Sequence, residues 1–323
     1  MKLTKDFAFK GTSEATQQFD VVARSKTVAK AITNPLGPLS LLVGTWKGTG
    51  FNQIWRPSKI TSGGQDRFLQ LNKTKEVLVF EDIGGDIPNR GLLQDDINLH
   101  GITYLQQVQD VNVLGSNGKP SGIHIEPGIW LRVPPTTNPS DPETVARLAN
   151  IPHGTSMTAQ GTAITVSGPP TFKVADITPF VIGQPTNLVP FPQESVLTNP
   201  TNFRSPPAAL VGITQAMVNN PNTVLASGLA GKTITQTIVL DVSTAQMTPP
   251  VPTSGGGTGN IAFLVGSGGN PNASAVRVDA TFWIETFKVG SVVKHQLQYT
   301  QRVLLNFNGL SWPHVSVATL IKQ

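Results

Sequence analysis

Frequent turn residues are the feature that most limits what this chain can fold into. Its 323 residues include 31 glycines and 26 prolines, whereas charged side chains make up only 13% of the chain. Proline and glycine interrupt helices, and the strong helix formers Lys and Glu are scarce here. Apolar residues still make up 38%, which is enough to build a sizeable core. The sequence therefore predicts an ordered, mainly β fold and argues against a helical bundle or a disordered chain.

Composition also limits the partners and the chemistry. Lys and Arg outnumber Asp and Glu by 24 to 19 and are spread thinly, so nothing indicates binding to nucleic acid. The lack of cysteine excludes disulfides and thiolate sites and leaves five histidines as candidate metal ligands. No stretch approaches the roughly 18 apolar residues of a membrane span, and the first 20 residues show no signal peptide. We therefore expect a cytoplasmic protein without membrane insertion, and the oligomeric state stays open.

Runs of apolar and β-branched residues between clusters of Gly, Pro, Asn and Ser predict about ten strands. We place them at residues 45–55, 68–83, 102–113, 123–133, 157–167, 233–242, 261–265, 276–287, 292–308 and 314–321. Residues 13–32 favour a helix, which Asn34-Pro35 ends. The Pro-rich stretch 169–259 is predicted as a loop-rich insertion that packs partly on the body. The expected organisation is an N-terminal helical segment, 1–43, and a single domain, 44–323.

Three segments carry the motifs, and the first is residues 38–50. It runs through Gly44-Thr45-Trp46 to Gly48 and Gly50. Glycines let a first strand bend and be approached closely, and a Trp fills the end of a barrel. Lipocalins use a comparable Gly-x-Trp start, so this segment alone predicts the beginning of a β-barrel.

The second segment, residues 123–132, contains a histidine and a carboxylate on one face of a strand. His124 and Glu126 are two residues apart, and residues two apart on a strand point the same way. Glu126 is therefore the expected hydrogen-bond partner of His124. A structural role for this pair and a role in acid–base chemistry both remain open.

The third segment, residues 297–322, ends in a strand with two competing faces. His314 shares one face with small residues, Ser316 and Ala318. Val315, Val317 and Ile321 form the more apolar opposite face, so periodicity alone would turn His314 toward solvent. Both faces can be buried if the N-terminal helix or the insertion covers the outside of this strand.

Taken together, the three segments resemble the nitrobindin-like haem-binding β-barrels, over little more than a third of the chain. The resemblance implies an antiparallel up-and-down β-barrel of about ten strands, with His314 as the axial ligand of haem b. Family members are about half this length and have no counterpart of the insertion. The other pocket residues that we assign on this basis are Trp46, Leu304, Ser316 and Ala318. His124 lines the same pocket in this interpretation, and His153 borders it; both are candidates for distal acid–base catalysis.

The resemblance implies binding of nitric oxide or another diatomic ligand, or reaction with peroxynitrite or peroxide. Enzymatic activity stays open, as a peroxynitrite isomerase or a weak haem peroxidase. The main alternative is a lipocalin-like carrier of an apolar small molecule without metal. Two weaker alternatives are an acid–base enzyme that uses His124 with Glu126, and a zinc site on His124, His153 and His314. The glycine-rich run 254–259 is better explained as a flexible turn than as a phosphate-binding loop.

Overall fold

The structure is a computed structural model that describes residues 34–59, 66–245 and 255–323. The helix predicted at residues 13–32 lies outside these ranges. Within them, a 3-10 helix (Gly37–Leu42) leads into the first strand.

Ten long antiparallel strands form one closed barrel, in which wall order follows chain order. The strands of the wall are β1 (Gly44–Pro57), β2 (Arg67–Asp82), β4 (Ile97–Leu114), β5 (Pro120–Val133), β6 (Thr144–Ile151), β7 (Thr155–Ser167), β9 (Ile234–Ser243), β11 (Ser274–Val289), β12 (Val292–Phe307) and β13 (Leu310–Lys322). Three short strands pair outside this order: β3 (Ile87–Asn89) with β4, β8 (Phe180–Val181) with β13, and β10 (Gly257–Asn260) with β7. Pairing of β1 with β13, from Trp46 opposite Lys322 to Ile54 opposite His314, closes the wall. The predicted up-and-down barrel of about ten strands is confirmed.

The differences from the sequence prediction include one wall strand that was missed and one predicted strand that is wrong. Strand β6 was not expected, because Ala146, Arg147 and Ala149 give it little β-propensity. The strand predicted at 261–265 is wrong, because this apolar run forms a single helical turn, α4 (Ala262–Val265). Short apolar runs are ambiguous between the two structures when only their periodicity is considered.

Between β7 and β9 the chain leaves the wall and covers its outside. We call residues 168–233 the covering segment. It contains β8, α1 (Pro192–Ser195), a 3-10 helix (Pro207–Leu210), α2 (Gln215–Asn219) and α3 (Thr223–Gly228). Strand β9, although within the predicted insertion 169–259, belongs to the wall between β7 and β11. Residues 255–273, which precede β11 and contain β10 and α4, form a second excursion at the mouth of the barrel.

The covering segment buries the outer face of the last strand. Val315 and Val317 are fully buried and belong to one cluster with Ile213, Val218 and Leu225 of the covering segment. Because side chains alternate along a strand, this leaves the face that carries His314 to the barrel interior. The conflict between the two faces of this strand is thereby resolved.

The interior is filled at the end where β1 begins, which we call the closed end. Trp46 is fully buried there, and its indole Nε1 donates a hydrogen bond to the carbonyl oxygen of Leu42, 2.6 Å away. Phe282 packs edge-on against Trp130, with ring centroids 5.2 Å apart. These aromatic rings, with Leu320 and other aliphatic side chains, form the main core. The opposite end, where β1 ends and β13 begins, contains the cavity described below.

Candidate ligand-binding cavity

A cavity of about 340 Å³ occupies the open end of the barrel. This is at the small end of the roughly 300–1,000 Å³ typical of small-molecule sites. Its apolar walls are formed by Ile54, Val108, Ile123, Val303 and Leu305. The same strands that pack the core at the closed end therefore enclose space at the open end.

His314 lies in the wall of this cavity. It is flanked by Ile54 on β1 and by Val303 on β12, which are its partners in the strand register. Burial, and then the nearby imidazoles of His124 and His153, lower its pKa to about 3, so the ring is neutral at physiological pH. Neither ring nitrogen hydrogen-bonds to any residue in the described ranges. The carbonyl or hydroxyl expected to fix the tautomer of an axial ligand is therefore missing from this part of the chain.

Two more histidines face the same cavity. The rings of His124, on β5, and His153, in the turn between β6 and β7, have centroids 6.2 Å apart. His153 is exposed at the mouth, and its pKa is lowered by partial burial and by His124. His124 is mostly buried, and its Nε2 lies 3.3 Å from Oε2 of Glu126. The predicted pairing of His124 with Glu126 is thus present in the structure.

A buried layer of polar side chains separates the cavity from the closed end, and Arg147 lies at its centre. Arg147 donates to Glu126 at 2.5 Å and to the hydroxyl of Tyr104 at 2.9 Å, and its guanidinium lies 5.0 Å from the ring centroid of Phe282. The Tyr104 hydroxyl also donates to Glu126. Glu126 and Arg147 are both about fully buried. A buried pair with this many hydrogen bonds is held in one geometry.

Glu126 stays ionised in this layer. Burial alone would raise its pKa, but the charge of Arg147 and the hydrogen bonds from His124 and Tyr104 outweigh that effect and lower the pKa to about 2. A carboxylate with such a low pKa is a weak base. Its arrangement therefore favours orienting His124 over acting as an acid–base group itself.

The second carboxylate of the layer is Glu76, on β2. It accepts hydrogen bonds from the Tyr299 hydroxyl at 2.7 Å, from Thr74 at 2.8 Å and from the Gln106 amide at 3.1 Å. Burial raises its pKa more than these hydrogen bonds lower it. Gln106 and Tyr299 also line the cavity, so the polar layer reaches its floor.

The predicted pocket residues divide between the two ends of the barrel. Ser316 lines the cavity together with the three histidines. Ala318 lies deeper in the main core, and Trp46 lies at the closed end. Leu304 faces away from the cavity, because its neighbours in β12, Val303 and Leu305, both line it and side chains alternate along the strand. Trp46, Leu304 and Ala318 are therefore outside the cavity wall.

The histidines do not form a metal-binding cluster of the zinc type. In the three described ranges, no group of three or more His, Cys, Asp or Glu side chains could hold a metal ion. His124, His153 and His314 line one cavity but do not form such a group.

Sequence reasoning missed the polar floor of the cavity. Asn52, Gln106 and Gln301 line it, and Gln301 accepts a hydrogen bond from Arg147 at 2.6 Å. Alternation of inward and outward side chains could have identified these three residues, because they lie on strands that were predicted from the sequence. Arg147 could not be found this way, because its strand was not predicted.

The mouth of the cavity combines apolar and basic groups. Leu264 of α4 reaches into the cavity, while Ile261, Phe263 and Val265 around it are at least half exposed. On the other side of the mouth, Arg56 is exposed and lies over the ring of Phe68. No helix in the described part of the chain is long and apolar enough to cross a membrane.

Comparison with known proteins adds a distant structural likeness. No protein-family model matches the chain, and no curated protein matches it. Among solved structures, the crystal structure of Rv2717c from M. tuberculosis is similar, with a TM-score of 0.38 and 15% sequence identity. The alignment covers 88% of this chain and 97% of that one. These comparisons do not establish a family. The strand pairing shows a ten-stranded antiparallel barrel, a fold compatible with ligand binding, and membership of the nitrobindin-like family stays a prediction.

Proposed function

We propose that this protein binds haem b in the cavity at the open end, with His314 as the axial ligand. The observation that carries the proposal is the neutral imidazole of His314, which lies in the wall of a largely apolar cavity. A neutral imidazole on a rigid element is the usual haem ligand in proteins. β13 is rigid here because it is paired on both sides and covered from outside.

The residues around His314 suit a flat apolar group. Val303, Leu305 and Ile54 offer aliphatic surface, and the small Ser316 next to His314 leaves room beside it. Haem would supply an iron with one open coordination position, where nitric oxide or another diatomic ligand binds. The proposed activity is nitric oxide binding, with conversion of peroxynitrite or peroxide as the enzymatic form.

His124 and His153 are the groups that this chain offers for proton transfer beside such a ligand. His124 is oriented by Glu126, which fixes one ring nitrogen, whereas His153 is closer to solvent. We propose His124 as the group that exchanges a proton with the bound ligand. An imidazole is suited to this role because its two ring nitrogens can donate and accept a proton.

Reconstitution with hemin tests the haem proposal. The wild-type protein should give a Soret band on titration with hemin, and His314→Ala should abolish it because the iron loses its protein ligand. His100→Ala is a matched control, because His100 lies beside Asp86 toward the closed end of the barrel and does not line the cavity. A wild-type protein that gives no Soret band after reconstitution would refute the proposal.

A carrier of an apolar small molecule is the second candidate, and the polar floor favours it. The floor below His314 consists of three amides, from Asn52, Gln106 and Gln301. The edge of a porphyrin would leave these amides without hydrogen bonds. Organic extraction of the purified protein followed by mass spectrometry tests this function. A co-purified small molecule without iron would support the carrier, whereas haem in the extract would support the first proposal.

A further inference from the structure

We propose that the floor of the cavity is a recognition subsite for the neutral, hydrogen-bonding end of an otherwise apolar ligand, such as a primary amide. The floor is formed by the amides of Asn52, Gln106 and Gln301 together with Ser316. Asn52 on β1 and Gln301 on β12 each lie opposite Ser316 on β13. This inference deepens the carrier function and rests on it.

The first observation is that the buried side-chain amide of Asn52 lacks a hydrogen-bond partner among the described residues. Its side chain is 4% exposed, lines the cavity and makes no hydrogen bond with a described residue; its Oδ1 is buried without a partner. A buried amide without hydrogen bonds costs free energy, because it has lost its hydration without gaining a partner. A ligand that pairs with this amide recovers that loss, so Asn52 favours a polar ligand atom at this depth.

The orientation of the neighbouring amides is the second observation. Arg147 donates to Oε1 of Gln301, which leaves the Nε2 of Gln301 as the free donor. Nε2 of Gln106 donates to Glu76 and to the Tyr299 hydroxyl, which leaves its Oε1 as the free acceptor. The floor therefore presents a fixed donor and a fixed acceptor, with Asn52 able to supply either.

The charges behind the floor are compensated, which is the third observation. Arg147 is paired with Glu126 at 2.5 Å, and Glu76 is hydrogen-bonded by Tyr299, Thr74 and Gln106. The groups that line the floor itself are amides and hydroxyls. An ionised ligand group would lose its hydration there without gaining an opposite charge, so the floor selects a neutral group.

The chemistry of the ligand follows from these three observations. Its buried end carries both a donor and an acceptor, as in a primary amide, and bears no charge. Its body is apolar, because Ile54, Val108, Val303 and Leu305 surround the space above the floor. A medium-chain primary amide is the simplest molecule with both properties.

Binding of the ten-carbon probes decanamide, decyl chloride and decanoate tests the inference on the whole protein. Decanamide carries the polar end, and decyl chloride has a similar shape without a hydrogen-bond donor. We expect Asn52→Leu to weaken decanamide binding about tenfold, as for the loss of one buried hydrogen bond, and to leave decyl chloride binding unchanged. Gln107→Leu is the matched control, because Gln107 is an exposed amide on β4, and it should change neither affinity. Asn52→Ala repeats the test should the leucine variant fail to fold.

Each remaining outcome of this test counts against a particular claim. If Asn52→Leu leaves decanamide binding unchanged, or weakens both probes equally, the floor is not a recognition subsite although the cavity binds apolar ligands. Decanoate bound more tightly than decanamide would overturn the preference for a neutral group. If the wild-type protein binds neither decanamide nor decyl chloride, the carrier function itself fails.

Discussion

The two ends of the barrel interior use the same ten strands for opposite purposes. At the closed end, Trp46, Trp130 and Phe282 fill the space between the strands. At the open end, the inward positions of the same strands carry smaller or polar side chains, such as Asn52 and Ser316, and a cavity remains. The polar layer around Arg147 lies between them. The comparison teaches that the closed end supplies most of the stability and the open end supplies the binding space.

The largest test of this comparison removes a ring from the closed end. We expect Trp46→Ala to lower the free energy of unfolding by about 3–5 kcal/mol, because it leaves a cavity in a fully packed core. His314→Leu, at the open end, should change it by less than about 1 kcal/mol, because its ring already borders empty space. Urea unfolding measures both. Equal losses at the two ends would contradict the division of roles.

The polar layer is tested by breaking its buried ion pair. Arg147→Met should lower the free energy of unfolding by about 3 kcal/mol, because Glu126 is left charged and buried without its partner. Adding Glu126→Leu should recover most of the lost stability, because apolar side chains then replace the whole pair. Comparison of the single and double variants by urea unfolding measures this. A double variant that is less stable than Arg147→Met would show that the layer stabilises through its other hydrogen bonds.

The pH dependence of stability is a further test of the polar layer between the two ends. The pKa of Glu126 falls from 4.5 in the unfolded chain to about 2 in the barrel, so its ionisation stabilises the fold above about pH 4.5. That contribution, about 3 kcal/mol on this shift, is lost as the pH falls through about 2. Stability measured against pH should therefore decline in this window. The decline should be much smaller in the Arg147→Met, Glu126→Leu double variant, which lacks the titrating group.

The smallest effect is expected at the mouth. Phe263 is 71% exposed, so Phe263→Ser should change the free energy of unfolding by no more than about 0.5 kcal/mol. Leu264→Ser, next to it, replaces a buried residue that lines the cavity and should cost more. Thermal unfolding of the two variants side by side measures the difference. An equal cost at both positions would mean that α4 is not held against the mouth.

Most wall strands were predictable because alternation and turn residues are local properties of the sequence. Strand β6 was not, because its residues have little β-propensity and its strand structure depends on pairing with β5 and β7. The strand predicted at 261–265 was wrong although the local composition favoured it. Its composition suits a strand, but its position in the excursion at the mouth leaves it to form α4.

The candidate site was partly predictable for a similar reason. His314 was assigned to the pocket through the resemblance, although its own periodicity favoured the opposite face. The structure explains both the inward position of His314 and the apolar character of the opposite face, because the covering segment buries Val315 and Val317 from outside. The polar floor could have been found by applying alternation to β1 and β12. The orientation of its amides could not, because it depends on hydrogen bonds between distant strands.

The covering segment has a further consequence for how the cavity can be tuned. His314 and Val315 are consecutive residues, so one stretch of backbone joins the imidazole inside to the apolar contacts outside. Exchanging side chains of the covering segment, at Val218 or Leu225 for example, changes how firmly that backbone is held. Selection could thus adjust ligand affinity from the outer surface without altering any group that meets the ligand.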